Sequence, residues 1–177
     1  QENNNEIIFS PDGKWLLAWN ETRLQLWDVT SANPTETPII LNTSTLRISK
    51  WVFSPDGQWL VGGGQDGRVH VWKVTRSVST DSPRTLTGHT AEITAIAISS
   101  DSHWLVTGSA DNAIWRWDLT AEDPAPSSQV LGHPTEAIKD LCFSPDSRWL
   151  VTRSEQTTRL WDLCNTEQQA IETPLLT

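Results

Sequence analysis

One stretch of this chain is written four times. The segments FSPDGKWLL (residues 9–17), FSPDGQWLV (53–61), ISSDSHWLV (98–106) and FSPDSRWLV (143–151) superimpose without a gap. Their tryptophans, Trp15, Trp59, Trp104 and Trp149, stand 44, 45 and 45 residues apart. A second series, Trp27, Trp72, Trp117 and Trp161, is spaced 45, 45 and 44. Eight of the 11 tryptophans are therefore one pair repeated. A period of this length means an array of one supersecondary unit, each unable to bury its own apolar surface alone.

Within a unit the pattern is strand, turn, strand, turn, strand, longer loop, strand. In the second unit Ile48–Phe53 is rich in β-formers, and Ser54, Pro55, Asp56 and Gly57 make a turn whose backbone preferences suit Pro and Gly. Trp59–Gly62 is the next strand, Gln65, Asp66 and Gly67 signal a hairpin, and Arg68–Val74 alternates. Thr75–Pro83 is a polar loop before Arg84–Thr87. Four strands in each of four units predict an all-β chain of about 16 strands, with unit boundaries near 1–42, 43–87, 88–131 and 132–177. No window carries a helical apolar period.

Composition removes several functions. No apolar run approaches the roughly 18–20 residues of a membrane helix, so no membrane partner is expected. The net charge is −9 and the 13 Lys and Arg are scattered, which argues against nucleic acid. Two cysteines form neither a disulfide framework nor a CxxC pair. Cys142, between Leu141 and Phe143, reads as a buried inert thiol, and Cys164 as an exposed one. No metal site, Gly-rich phosphate loop or other cofactor motif stands out: Gly62, Gly63 and Gly64 end a strand, and Asp12, Asp56, Asp101 and Asp146 read as turn formers. The chain contains no Met and no secretory leader, from which a piece of a longer or processed, cytoplasmic protein is expected.

Gly88 and His89 before a strand, Ser-Pro-Asp-Gly between strands, and Trp117-Asp118 further on resemble the WD-repeat (WD40-type) family of β-propellers, across nearly the whole chain. Pro-containing links such as residues 120–126 resemble those of bacterial multi-domain WD-repeat proteins. The resemblance implies one four-stranded antiparallel blade per unit, set radially around a channel. It also implies a buried relay in each blade: His before the first strand, Ser or Thr on the second, Asp in the next turn, Trp on the third. The third unit matches throughout, with His89, Thr107, Asp111 and Trp117. The fourth keeps His133, Thr152 and Trp161 but has Gln156 for Asp; the second has Ser44, Gly62, Asp66 and Trp72; the first keeps Trp27 alone. The four relay tryptophans are expected to be buried.

His89, Asp111 and Thr107 could pass for a catalytic set, but positions that recur with the blade period are structural. No catalytic residue is assigned. An enzyme would need convergent, non-repeating groups at the channel mouth, and none is visible. The expected function is a non-catalytic protein-interaction scaffold, with a sensor or autoinhibitory domain of a larger signalling protein as the alternative.

Candidate contact residues are those breaking the repeat where loops open on one face. Gly63 and Gly108 align with Trp19 and Arg153, both interface-type residues, although Trp19 could equally pack across a blade seam. Arg47, Lys50, Arg68, Glu92 and Lys139 complete a mixed-charge rim. Arg116 stands in a slot held by Leu26, Val71 and Leu160, and must find a carboxylate or reach solvent by its stem. The opposite loops, Ser31–Pro38, Arg76–Pro83, Ala121–Ser128 and Asn165–Thr173, read as solvated connectors. Four such blades make half a propeller or part of a seven- or eight-blade ring. A homodimer closing an eight-blade ring, or further blades in a longer chain, would complete it; a closed four-blade monomer ranks behind both.

Overall fold

The structure is a computed structural model; it describes residues 6–20, 24–33, 38–41, 46–74, 83–121, 128–132, 134–164 and 170–174. The loops read as solvated connectors lie largely outside the described residues. Among these residues there are sixteen strands and no helix. The first blade is β1 (Glu6–Phe9), β2 (Trp15–Trp19), β3 (Leu24–Asp28) and β4 (Ile39–Leu41). The second is β5 (Ile48–Phe53), β6 (Trp59–Gly64), β7 (Val69–Lys73) and β8 (Arg84–Leu86). The third is β9 (Ile93–Ile98), β10 (Trp104–Ser109), β11 (Ile114–Asp118) and β12 (Gln129–Gly132), and the fourth β13 (Asp140–Phe143), β14 (Trp149–Arg153), β15 (Thr157–Asp162) and β16 (Ala170–Pro174). Each blade is one sheet with its strands side by side in sequence order, all antiparallel.

The repeated Ser-x-Asp turn makes each first hairpin. Ser10 Oγ donates to Asp12 Oδ1 at 2.6 Å and accepts the Trp15 N–H at 2.9 Å, while Asp12 also accepts the N–H of Lys14. Ser54, Ser99 and Ser144 do the same with Asp56, Asp101 and Asp146. These aspartates are turn formers. Burial would raise the Asp12 and Asp101 carboxyls, but the serine and backbone donors outweigh it and hold both below the ordinary value. The residue after each Asp is left-handed: Gly13 (φ 72°), Gly57 (φ 69°), Ser102 (φ 59°) and Ser147 (φ 59°).

Both faces of the second and third blades carry apolar side chains and are covered by neighbouring blades. Three core clusters fill the three seams. Leu17, Leu24 and Leu26 of the first blade meet Phe53, Leu60 and Trp72 of the second. Val61, Val69 and Val71 of the second meet Leu105 and Trp117 of the third. Val106 and Ile114 of the third meet Leu150 and Trp161 of the fourth. In the second, third and fourth blades the face carrying the relay Trp is thus covered by the preceding blade; we call it the leading face, and the other the trailing face. Among the described residues no cluster joins the first blade to the fourth, and the blades form an arc that is not closed into a ring.

This geometry corrects two expectations. Trp72, Trp117 and Trp161 are buried at 5%, 0% and 6% exposure, but Trp27 is only half-buried, because its leading face has no blade upon it. Leu60, Leu105 and Leu150 are fully buried while their counterpart Leu16 is not, for the same reason. Cys142 is exposed rather than buried. It stands opposite Val151 on the trailing face, where the fourth blade has no neighbour. Cys164 is exposed as well.

Candidate interaction surface and the relay beneath it

In the third blade the turn before β9 carries His89, β10 carries Thr107, the β10–β11 turn carries Asp111 and β11 carries Trp117. The Trp117 indole N–H donates to Thr107 Oγ1 at 3.0 Å, and Thr107 Oγ1 lies 2.9 Å from His89 Nε2. His89 Nδ1 is 3.1 Å from both Asp111 oxygens. Only one proton arrangement satisfies every atom: Thr107 donates to Nε2, and Nδ1–H donates to Asp111. Burial pushes the His89 pKa down against the pull of Asp111, which keeps the ring neutral. Burial would raise Asp111, but the N–H groups of Thr90 and Ala113 and the His89 ring leave it lowered and ionised. Each hydrogen-bonding atom of the set is thereby occupied within the protein.

The fourth blade keeps the Trp161 N–H to Thr152 Oγ1 bond at 3.1 Å. His133 lies outside the described residues. The carboxylate that Gln156 cannot supply comes from another loop: Glu136 Oε2 accepts from Ser154 Oγ at 2.6 Å and from the Gln156 N–H at 3.2 Å. These donors hold Glu136 below the usual carboxylate range. Sequence reasoning missed this residue because it sits in register with Ala91, outside the relay positions.

The second blade abandons the relay. Gly62 stands where Thr107 does, and the Trp51 ring fills the space; a Cβ on Gly62 would lie 2.9 Å from it. Trp51 is 5.3 Å from Trp72 and 6.3 Å from Trp19. Ser44 lies outside the described residues, and Asp66 accepts the Arg68 N–H. Gly62 in the relay slot, together with the non-repeating Trp51, was the available signal. Among the described residues Arg116 finds no carboxylate; it reaches an exposed position instead. Its guanidinium lies over the Trp104 ring, 4.4 Å from the centroid, and donates to the Gln129 amide oxygen at 2.7 Å.

Above the relay, the ends of the strands gather the rim. Trp19 ends β2, Arg47 precedes β5, Arg68 lies between β6 and β7, Glu92 precedes β9, Lys139 precedes β13 and Arg153 ends β14. All therefore lie at one end of the sheets, with Lys50 slightly deeper on β5. Arg47, Lys50, Arg68, Glu92, Lys139 and Arg153 are exposed. Trp19 differs from them: half-buried, it packs into the first seam on Trp51. The structure brings Lys139 and Arg153 together, the Lys139 N–H donating to the Arg153 carbonyl at 2.7 Å, and Arg153 pairs with Asp140 at 3.6 Å. Arg68 pairs locally with Asp66 at 3.6 Å. Among the described residues no three His, Cys, Asp or Glu side chains group as a metal site would require, and no helix is long and apolar enough to cross a membrane.

The family model described as WD domain, G-beta repeat matches residues 39–73, 80–118 and 125–162, more than half of the chain. The chain belongs to the WD40 repeat family. Each WD40 match begins with the outer strand of one blade and continues through the inner three of the next (β4–β7, β8–β11, β12–β15). A sequence repeat therefore ties two blades together covalently. A chain in the solved structure entitled Crystal Structure of Mitotic Checkpoint Complex is similar with a TM-score of 0.71 at 20% identity, over 90% of this chain and 49% of that one. This chain thus spans about half the length of that neighbour, and at such identity the likeness shows the fold alone. No curated protein matches the chain by sequence.

Proposed function

We propose that the chain is a non-catalytic protein-interaction scaffold whose strand-end rim contacts a partner protein or domain. WD40 propellers are commonly interaction scaffolds, and this supports the class. The observation that carries the choice of surface is where the copies differ. Ser-x-Asp turns, seam leucines and relay tryptophans recur from blade to blade, whereas the exposed rim side chains do not: Arg47 becomes Glu92, and Gly63 and Gly108 become Arg153. A scaffold needs constancy below the surface and variation upon it. The full occupation of His89, Thr107 and Asp111 by one another and by backbone donors supports the non-catalytic reading. Surface charges at such a rim act chiefly on association rate and partner choice.

The test is site-directed photocrosslinking in cells that make the protein. A crosslinker at Glu92 should trap a protein partner in one saturable adduct, lost with Arg68→Glu plus Arg153→Glu. Crosslinkers at Lys73 and Asn33, at the other end of the sheets, should not. Adducts from the far end only, or adducts indifferent to charge reversal, would overturn the choice of face.

A further inference from the structure

The three seams are not equally fastened. Across the second, the Asp56 N–H donates to Ser102 Oγ at 3.1 Å; across the third, the Asp101 N–H donates to Ser147 Oγ at 3.3 Å. Thr94 Oγ1 also donates to the Ile138 carbonyl across the third. The inner strands follow the same division: β5 runs against β9 and β9 against β13, whereas β1 and β5 do not approach in this way. In the first seam Gly57 stands where Ser102 and Ser147 stand in the others, so no hydroxyl is offered to the Asp12 turn. That seam is packed with leucines and with the rings of Trp19, Trp51 and Trp72.

A titratable ring is buried in this weakly fastened seam. Trp51, Gly62, His70 and Thr85 form one cross-strand row on the second blade's leading face. His70 is 2% exposed, and its ring centroid lies 6.1 Å from that of Trp72. Nδ1 is 3.2 Å from Thr85 Oγ1, and the buried Nε2 has no hydrogen-bond partner. The charged groups acting on the ring are Asp66 and Arg68, which pair with each other at 3.6 Å in the β6–β7 turn. β5 and β6 bring Trp51 and Gly62, β8 brings Thr85, and the first blade supplies this seam with Leu17, Leu24, Leu26 and Trp19. None of these can accept a second N–H. Neutral imidazole tolerates one empty nitrogen, but imidazolium carries two donors and a charge that needs water or a partner. His89, in the second seam, is not equivalent: Asp111 lies 3.1 Å from its Nδ1 and Thr107 2.9 Å from its Nε2, so both donors of the charged ring have acceptors in place. The places of His70 in the third and fourth blades hold Trp115 and Arg159, which keep one charge state through neutral and mildly acidic pH.

We infer that the first seam is an acid-opened joint: a proton taken up at His70 parts the first blade from the second, while the second, third and fourth blades stay together. Water reaches the charged ring only where the first blade leaves the face it covers, and no turn-to-turn bond of the kind in the other seams opposes that step. The sign follows from burial, which holds the enclosed ring below the ordinary 6.5. The open joint therefore binds more protons than the closed one, so the seam is at full strength above about pH 6.5 and weakens as pH falls below it. Opening uncovers Phe53 and Trp72. The joint concerns a seam and not the rim, so it stands or falls independently of the proposed scaffold role.

Hydroxyl-radical footprinting of the full chain, stepped from about pH 8 to about pH 5, tests the joint. Phe53 and Trp72 read the first seam, Trp117 the second and Trp161 the third. The expected result is a reversible, several-fold rise in modification of Phe53 and Trp72 at the acid end, with Trp117 and Trp161 unchanged. His70→Gln, which cannot take up the proton, should hold Phe53 and Trp72 protected throughout. Ring NMR of His70 in the unmodified chain supplies a second measurement should that variant not fold: the ring should titrate in step with the rise at Trp72. A simultaneous rise at Trp72, Trp117 and Trp161 would show general acid unfolding and overturn the inference. So would unchanged protection of Trp72, a rise that persists in folded His70→Gln, or a His70 titration separated from the exposure of Trp72.

Discussion

The leading faces of the second and third blades solve one problem in opposite ways. A tryptophan on the third strand must be packed at the centre of a seam beside a position that is polar in one blade and empty in the other. In the third blade the polar solution is complete: Trp117, Thr107, His89 and Asp111 form one hydrogen-bonded line from the core to the turn. In the second blade Gly62 removes the hydroxyl, and Trp19, Trp51 and Trp72 fill the space as a run of rings. Either a buried polar group has its partner or it is replaced by apolar volume; a half-built relay is the unstable choice.

The largest effect should come from breaking the relay at its middle. Thr107→Val keeps the shape but orphans the Trp117 N–H and His89 Nε2 together, at about 1–3 kcal/mol for each unsatisfied group. Urea midpoints should therefore fall further for Thr107→Val than for Thr152→Val, which in the described residues strands the Trp161 N–H. Equal, small shifts would show that the relay contributes little to blade stability.

Next is the reverse exchange. Gly62→Thr supplies the missing relay hydroxyl to the second blade, yet should destabilise by about 1–3 kcal/mol through overpacking. The new Cβ would meet Ile48 Cδ1 at 2.8 Å and Trp51 at 2.9 Å. A stabilised Gly62→Thr variant would mean that the ring cluster is loosely packed and the two solutions interchangeable.

The pattern of what was legible follows from the same contrast. Periodic features were visible because each blade repeats them: the two Trp series, the turn-forming aspartates and the order of the strands. What depends on the neighbouring blade was not. Cys142 has an apolar strand around it, yet it is exposed, because no core cluster of the described residues covers that face of the fourth blade. Trp19 has the composition of a contact residue, and only its distance to Trp51 places it in a seam. Glu136 serves the fourth blade from outside the aligned positions. A one-dimensional repeat encodes each blade well and its coverage poorly.

Acid should weaken both solutions in the same direction. His89 and His70 have pKa values pushed below the ordinary 6.5, chiefly by burial. Between the lowered folded values and 6.5 the unfolded chain binds more protons, so stability is full above about pH 6.5 and declines as pH falls below it. His70 bonds Thr85 through Nδ1 at 3.2 Å, and its buried Nε2 has no hydrogen-bond partner. Asp66 favours its charged form and Arg68 opposes it. Urea midpoints from about pH 8 to about pH 5 should slope less in His70→Gln than in the unmodified chain. An unchanged slope in a variant lacking both His70 and His89 would assign the acid limb elsewhere.

The smallest expected effect lies in the first-hairpin turns, where the same two seams differ again. Ser102 holds a left-handed backbone at φ 59°, which is unfavourable for a residue with a Cβ, but its Oγ accepts the Asp56 N–H of the preceding blade at 3.1 Å. Ser102→Gly relieves the first and loses the second, each on the order of 1 kcal/mol, so the net change should be within about 0.5 kcal/mol of zero. Gly57→Ser is not its mirror image. At φ 69° a Cβ on Gly57 would run into the Asp12 carboxylate, which is already committed to Ser10, Lys14 and its own turn. That variant should lower the urea midpoint, because its side chain must displace a carboxylate that holds the preceding blade's turn. If Gly57→Ser were neutral and Ser102→Gly costly, the turn-to-turn hydrogen bond would outweigh backbone strain, and both seams would be held at their turns as well as in their cores.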